Sequence, residues 1–250
     1  MAVSLSIFEI FQGLFSLIFV LVAIIISFFI IRRYFQYDSL EHLYVGLGFL
    51  GLAGPWFPDA IVFLSILVGN LANSPFVLED YTNITIMISL IMTFYTPFAL
   101  IFWFTAFSKL LRLKHRKQKL LIFIAINFVF EILFTIFLFI DLSFLGVYQG
   151  PFSYQWGIIT TIFYLFSIFV ALTTGSLFGY NGMKSEAKEN KLKGKFLLIS
   201  FAFFAVGSLI PYFWFDIVGL VVSRIFLVVC VLAFYVGLNM PQFVRDLVLK

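Results

Sequence analysis

Seven apolar stretches divide the chain, each long enough for a helix to cross a hydrocarbon layer, which takes about 20 residues. They run over 7–31, 42–68, 84–107, 120–140, 156–179, 196–215 and 217–238. Composition leaves them no other home. Of 250 residues, 63% are hydrophobic and 11% charged, with a mean hydropathy of +1.11, whereas a soluble domain carries about 25% charged residues. A soluble globular enzyme, a disordered chain and a nucleic-acid binder are excluded. The fold class expected is an all-α integral membrane protein with the lipid bilayer as its first partner. The connections are short, so residues 1–250 read as a single seven-helix transmembrane domain with no soluble domain. Cys230 is the lone cysteine, so no intrachain disulfide forms.

The basic residues test the span count independently. Arg32 and Arg33 follow the first span, and Lys109, Arg112, Lys114, Arg116, Lys117 and Lys119 lie between the third and fourth. Lys184, Lys188, Lys191, Lys193 and Lys195 lie between the fifth and sixth, and Arg245 and Lys250 follow the seventh. All Lys and Arg but Arg224 therefore fall on one side of a seven-span reading. Basic residues concentrate in cytoplasmic loops, which puts the N-terminus outside and the C-terminus inside a cell membrane. The acidic residues lean the other way, with Glu9, Asp59, Glu79, Asp80, Asp141 and Asp216 toward the outer side. The first span follows no basic cluster and reads as an uncleaved helix.

The second span is irregular. Gly46, Gly48, Gly51 and Gly54 lead into Pro55-Trp56-Phe57-Pro58-Asp59. Proline removes a helix hydrogen bond and kinks the chain. As a straight helix, 42–68 would be about 40 Å long, more than the roughly 30 Å of hydrocarbon. A kinked helix protruding outward is expected in preference to a separate outer helix over 59–69. Gly51-x-x-x-Pro55 with its aromatics and Asp59 is echoed by Gly207-x-x-x-Pro211, aromatics and Asp216. The echo has two readings: a parallel 3+1+3 repeat with the fourth helix as connector, as in small sugar-transporter folds, or coincidence in a Phe- and Gly-rich chain. The helix-breaking proline of those folds is missing from spans one and five. Pro55, Pro58 and Pro211 are expected at kinks, with Asp59 and Asp216 capping helix starts.

Polar groups inside the membrane need a partner or a water-filled cavity and are site candidates by default. Glu131 shares a face of the fourth span with Asn127 and Thr135. Arg224 lies in the seventh span, roughly 12 Å below Asp216, a depth close to that of Glu131. A Glu131–Arg224 pair is expected, either fixing the bundle's register or forming a ligand or ion site. On that pairing, Arg224→Ala lowers the folded yield and Arg224→Ala/Glu131→Ala partly restores it. Thr85, Ser89, Thr93 and Thr96 form a stripe on the third span, and Thr160, Tyr164, Ser167 and Thr174 one on the fifth. Such stripes let helices approach and hydrogen-bond, or line a cavity. Glu131, Arg224, Asn127, Thr93 and Thr96 are thus the candidate ligand-binding residues. Glu9, Gln12 and Ser16 read either as a solvated helix start or as the mouth of a pocket.

His42 and His115 lie far apart, and no Cys or acidic cluster has metal spacing. A phosphate loop, H-E-x-x-H and a nucleophile elbow are also missing from the sequence. Neither catalytic activity nor a cofactor or metal is expected. Lys114-His115-Arg116-Lys117 is a basic turn suited to anionic lipid or a cytoplasmic partner.

Seven spans with this orientation are shared with rhodopsins and G-protein-coupled receptors. The seventh span has no lysine for a retinal Schiff base. Ser108-Lys109-Leu110 stands where D-R-Y would, and Asn239-Met240-Pro241-Gln242-Phe243 where N-P-x-x-Y would. The block Gly46–Ile61, the block Leu192–Phe201 and Gly237-x-x-x-Pro241 resemble a group of uncharacterised archaeal seven-helix membrane proteins. A fainter resemblance is to the seven-helix sensor portions of some histidine kinases, which implies a receptor-like role with signalling passed to a cytoplasmic partner. The alternative function is a small-solute transporter with its site near Glu131 and Arg224.

Overall fold

The computed structural model describes residues 5–72, 78–148, 152, 154–214 and 216–248. The expected end of the sixth span at Phe215 and the basic Lys250 lie outside these residues. Of the described residues 88% are helical, and among them are seven helices long and apolar enough to span a membrane. Helix α1 (Ile7–Tyr37) begins at a capping box in which Ser6 Oγ accepts from Glu9 N at 3.3 Å and Glu9 Oε2 accepts from Ser6 N at 2.7 Å. It ends where Asp38 turns left-handed at φ 49°.

The second span is broken, not merely bent, which corrects the expectation of one continuous kinked helix: the proline pair starts a separate helix. Helix α2 (Leu40–Leu52) passes through a 3-10 turn (Gly54–Trp56) into α3 (Phe57–Leu71). Pro55 and Pro58 sit at the starts of the turn and of α3, where a missing N–H costs nothing. Both halves pack between α1 and α4 (Leu78–Leu110). The approach of α2 to α4 depends on glycine: a methyl on Gly51 would collide with the Ala99 side chain. The Lys109–Glu41 ion pair joins the same two helices at the basic end.

Helix α5 (Arg116–Ile140) packs on α4 and α6 (Ile158–Met183), with much of its surface facing outward. Helices α4 and α6 run parallel and are stitched together. Trp103 Nε1 donates to Thr174 Oγ1 at 2.9 Å, and Thr93 Oγ1 lies 3.5 Å from the Tyr164 hydroxyl. The small polar stripes thus serve helix association at these points. Helices α7 (Lys188–Phe213) and α8 (Ile217–Asn239) form an antiparallel pair, and a short α9 (Gln242–Val248) follows. Asp216 caps α8 by accepting from Gly219 N at 2.8 Å, which holds its carboxyl below the usual carboxylate range. Pro211 lies two residues from the end of α7, so it terminates the helix rather than kinking its middle.

One element was not expected. Between α5 and α6 a hairpin pairs β1 (Gly146–Tyr148) antiparallel with β2 (Tyr154–Trp156), with Val147 opposite Gln155. Phe152, near its tip, packs on a small cluster of Val62, Ile66 and Tyr81. The hairpin therefore leans across the bundle onto α3 and α4.

Aromatic rings fill the middle of the bundle. Phe49 stacks on Phe234 at 4.4 Å, and Trp103 stacks on Phe107 at 4.3 Å. In lipid, where burial of apolar surface drives little, such packing carries helix association. Gly51→Val is expected to destabilise the bundle by about 1–3 kcal/mol through overpacking. Phe139→Ala, on the outward face of α5, should stay within about 0.5 kcal/mol of wild type. Thermal unfolding in mild detergent compares the two.

Candidate functional site

The break in the second span decides where its carboxylate goes. Asp59 lies in the first turn of α3, fully buried, rather than at an exposed outer end. A carboxylate there is favoured by the positive end of the helix dipole. Its Oδ2 accepts from Arg224 Nη2 at 2.9 Å, Gln12 Nε2 at 3.2 Å and Ser16 Oγ at 3.4 Å. Arg224 also donates from Nε to Ser16 Oγ at 2.9 Å and from Nη1 to Ser223 Oγ at 3.2 Å. Its guanidinium carbon stands 6.0 Å from the Trp56 ring centroid, within cation–π range. One ion pair thus ties α1, α3 and α8 together.

The expected Glu131–Arg224 pair is therefore corrected: the partner of Arg224 is Asp59. Glu131 sits on α5 against α4 and α6, while Arg224 sits on α8 against α1 and α7. Equal depth does not put two residues on facing helices. Glu131 is half-buried, and its Oε1 has no hydrogen-bond partner among the described residues. Asn127, one turn away, is buried and donates to the Phe123 carbonyl at 2.8 Å. Thr135 faces outward. The capping expected of Asp59 gives way to a buried ion pair, whereas Asp216 does cap a helix.

Beside the Asp59–Arg224 pair lies a cavity of about 730 Å³ in the acidic half of the bundle. Gln12, Thr96, Tyr164, Ser208, Tyr212 and Arg224 supply much of its polar lining. Trp56, Phe204 and Trp156 supply aromatic walls, and Val147, Phe152 and Gln155 of the hairpin region cover one side. Of the candidates, Arg224 and Thr96 line this cavity, Thr93 supports it through Tyr164, and Glu131 and Asn127 do not line it. Just beneath, Phe49, Trp103, Phe201 and Phe234 enclose a void of only about 10 Å³, the least that could hold one water. The cavity thus rests on a packed aromatic layer.

Gln12 and Ser16 were legible as a polar stripe at the start of α1, and the structure adopts the pocket reading for Gln12. Ser208 and Tyr212, one turn apart on one face of α7, also line the cavity, although they are not among the residues singled out from sequence. No protein family, curated protein or solved structure matches the chain.

Breaking a buried pair leaves an uncompensated charge and costs about 3–5 kcal/mol. Arg224→Ala and Asp59→Ala should each destabilise on that scale, and Asp59→Leu/Arg224→Met should recover much of the loss. A double-mutant cycle over Asp59 and Arg224 should show strong coupling, and one over Glu131 and Arg224 should be additive. Coupling in the second cycle with additivity in the first would reverse the assignment.

Proposed function

We propose that the chain is a non-enzymatic, sensor- or receptor-like seven-helix module of the cell membrane, which binds a small molecule in its acidic half. The observation that carries this reading is the cavity at the Asp59–Arg224 pair, resting on the aromatic layer below it. A pocket with a closed floor suits binding and conformational signalling better than passage. The pair links three helices, so an occupant that contacts Arg224 acts on α1, α3 and α8 together.

The segregation of basic residues supports an N-terminus outside and a C-terminus inside. The cavity then faces outward, and the basic loops face the cytoplasm, where anionic lipid or a signalling partner meets them. This role agrees with the sequence's fainter resemblance to the seven-helix sensor portions of some histidine kinases.

A transporter is the second reading. Its specific support is the broken helix at α2–α3, since discontinuous helices beside a mid-membrane site are a transporter device. A parallel 3+1+3 repeat, if the Gly-x-x-x-Pro echo is one rather than coincidence, would belong to this reading, with the site at Arg224 rather than near Glu131.

With Ser185→Cys in place, a membrane-impermeant maleimide should label inverted vesicles and not intact cells. An environment-sensitive dye on the same cysteine should change emission when compounds that raise the unfolding temperature are added. Proteoliposomes should show no flux of those compounds. Saturable flux, unchanged in Glu131→Gln, would replace the sensor with a transporter using the Arg224 site.

A further inference from the structure

The chemistry of the cavity wall narrows what fits, granted that the cavity is the binding site proposed above. Arg224 is its one charged lining residue among those described. Its counter-ion Asp59 is completely buried behind the wall, so the pair presents no net charge to an occupant. A guanidinium carries five N–H donors. Three described contacts, to Ser16, Ser223 and Asp59, engage one each of the donors on Nε, Nη1 and Nη2. Two N–H groups therefore have no acceptor among the described residues.

Ser208 supplies a second observation. It lines the same cavity, is only 5% exposed, and its Oγ has no hydrogen-bond partner among the described residues. Helices α7 and α8 hold Ser208 and Arg224 at neighbouring levels, because Ser223 Oγ donates to the Gly207 carbonyl at 2.6 Å. Buried donors without acceptors cost free energy, and a ligand acceptor removes that cost.

Charge decides the rest. A cation would meet Arg224 with no lining carboxylate to balance it. An anion would add an uncompensated charge to a pair that is already neutral, in a site walled by Trp56, Tyr164, Phe204 and Tyr212. We infer that the cavity takes an uncharged, aromatic-bodied molecule whose carbonyl oxygen docks on Arg224 and Ser208, its ring lying among those aromatic side chains.

The test uses the whole chain in lipid nanodiscs and four probes with one ring system: 2-naphthamide, 2-naphthoate, 2-naphthylmethylammonium and naphthalene. Saturable increases in unfolding temperature measure binding. 2-Naphthamide is expected to bind at least about tenfold more tightly than the other three, a difference of about 1.4 kcal/mol. Ser208→Ala should weaken the amide several-fold and leave naphthalene unchanged, and Thr161→Trp, which places an indole in the cavity, should abolish the shift. Naphthoate binding as tightly as the amide, or naphthalene doing so, would overturn the ligand class while leaving the cavity as a binding site. No saturable shift with any probe would overturn the cavity reading itself. An amide shift that survives Thr161→Trp would place the binding elsewhere and overturn the inference as well.

Discussion

A guanidinium in the middle of a membrane helix dominates everything around it. Arg224 lies about two turns into α8, where hydrocarbon would surround it if nothing else did. An unpaired charge there costs at least a few kcal/mol, comparable with the whole stability of many domains. The chain meets this cost by folding its second span around a break. Pro55 and Pro58 start a 3-10 turn and a new helix, and that new start delivers Asp59 to Arg224 at 2.9 Å. Gln12 and Ser16 complete the shell from α1. The break in the second span, the packing of α1 on α3 and the face that α8 turns to them all meet at this one charge.

This explains which parts of the architecture were legible beforehand. Span count follows from apolar length alone, so the seven helices could be read directly. Arg224 could also be flagged, because a charge within an apolar run is conspicuous. Its partner could not be read the same way. Counting residues along straight helices matches the depth of Arg224 to Glu131 and places Asp59 toward the outer side. The helix break changes the relation between position in the chain and position in the bundle, and only packing reveals that. Neighbourhood is a separate matter: α5 packs on α4 and α6 and α8 on α1 and α7, and equal depth carries no information about which helices face each other.

The hairpin shows a different limit. Gly146-Val-Tyr148 and Tyr154-Gln-Trp156 flank a stretch containing Gly150-Pro151. Strand-like residues around a turn dipeptide are a hairpin signal. In a chain this apolar the same residues adjoin a long apolar stretch, so Trp156 reads as the start of the fifth span. The structure assigns it to β2, and its ring meets Tyr164 edge-on at 5.1 Å. A segment of loop length thereby becomes part of a cavity wall.

The two halves of the bundle answer opposite demands. Below, rings of Phe49, Trp103, Phe201 and Phe234 fill space densely, and Trp103 directs its N–H to Thr174. Above, hydroxyls, two amides and a guanidinium line a cavity, which only a polar occupant or water can satisfy. The ion pair stands where these regions meet, and its neutrality lets a guanidinium line a cavity without attracting every anion. Ser16 accepts from Arg224 while donating to Asp59, so any group that draws on the guanidinium also bears on the contacts holding α1 to α3 and α8. An occupant can shift those helices only by the amount by which it discriminates between their arrangements. By linkage, whatever binds a particular arrangement at the basic end must change affinity in the cavity by the same factor.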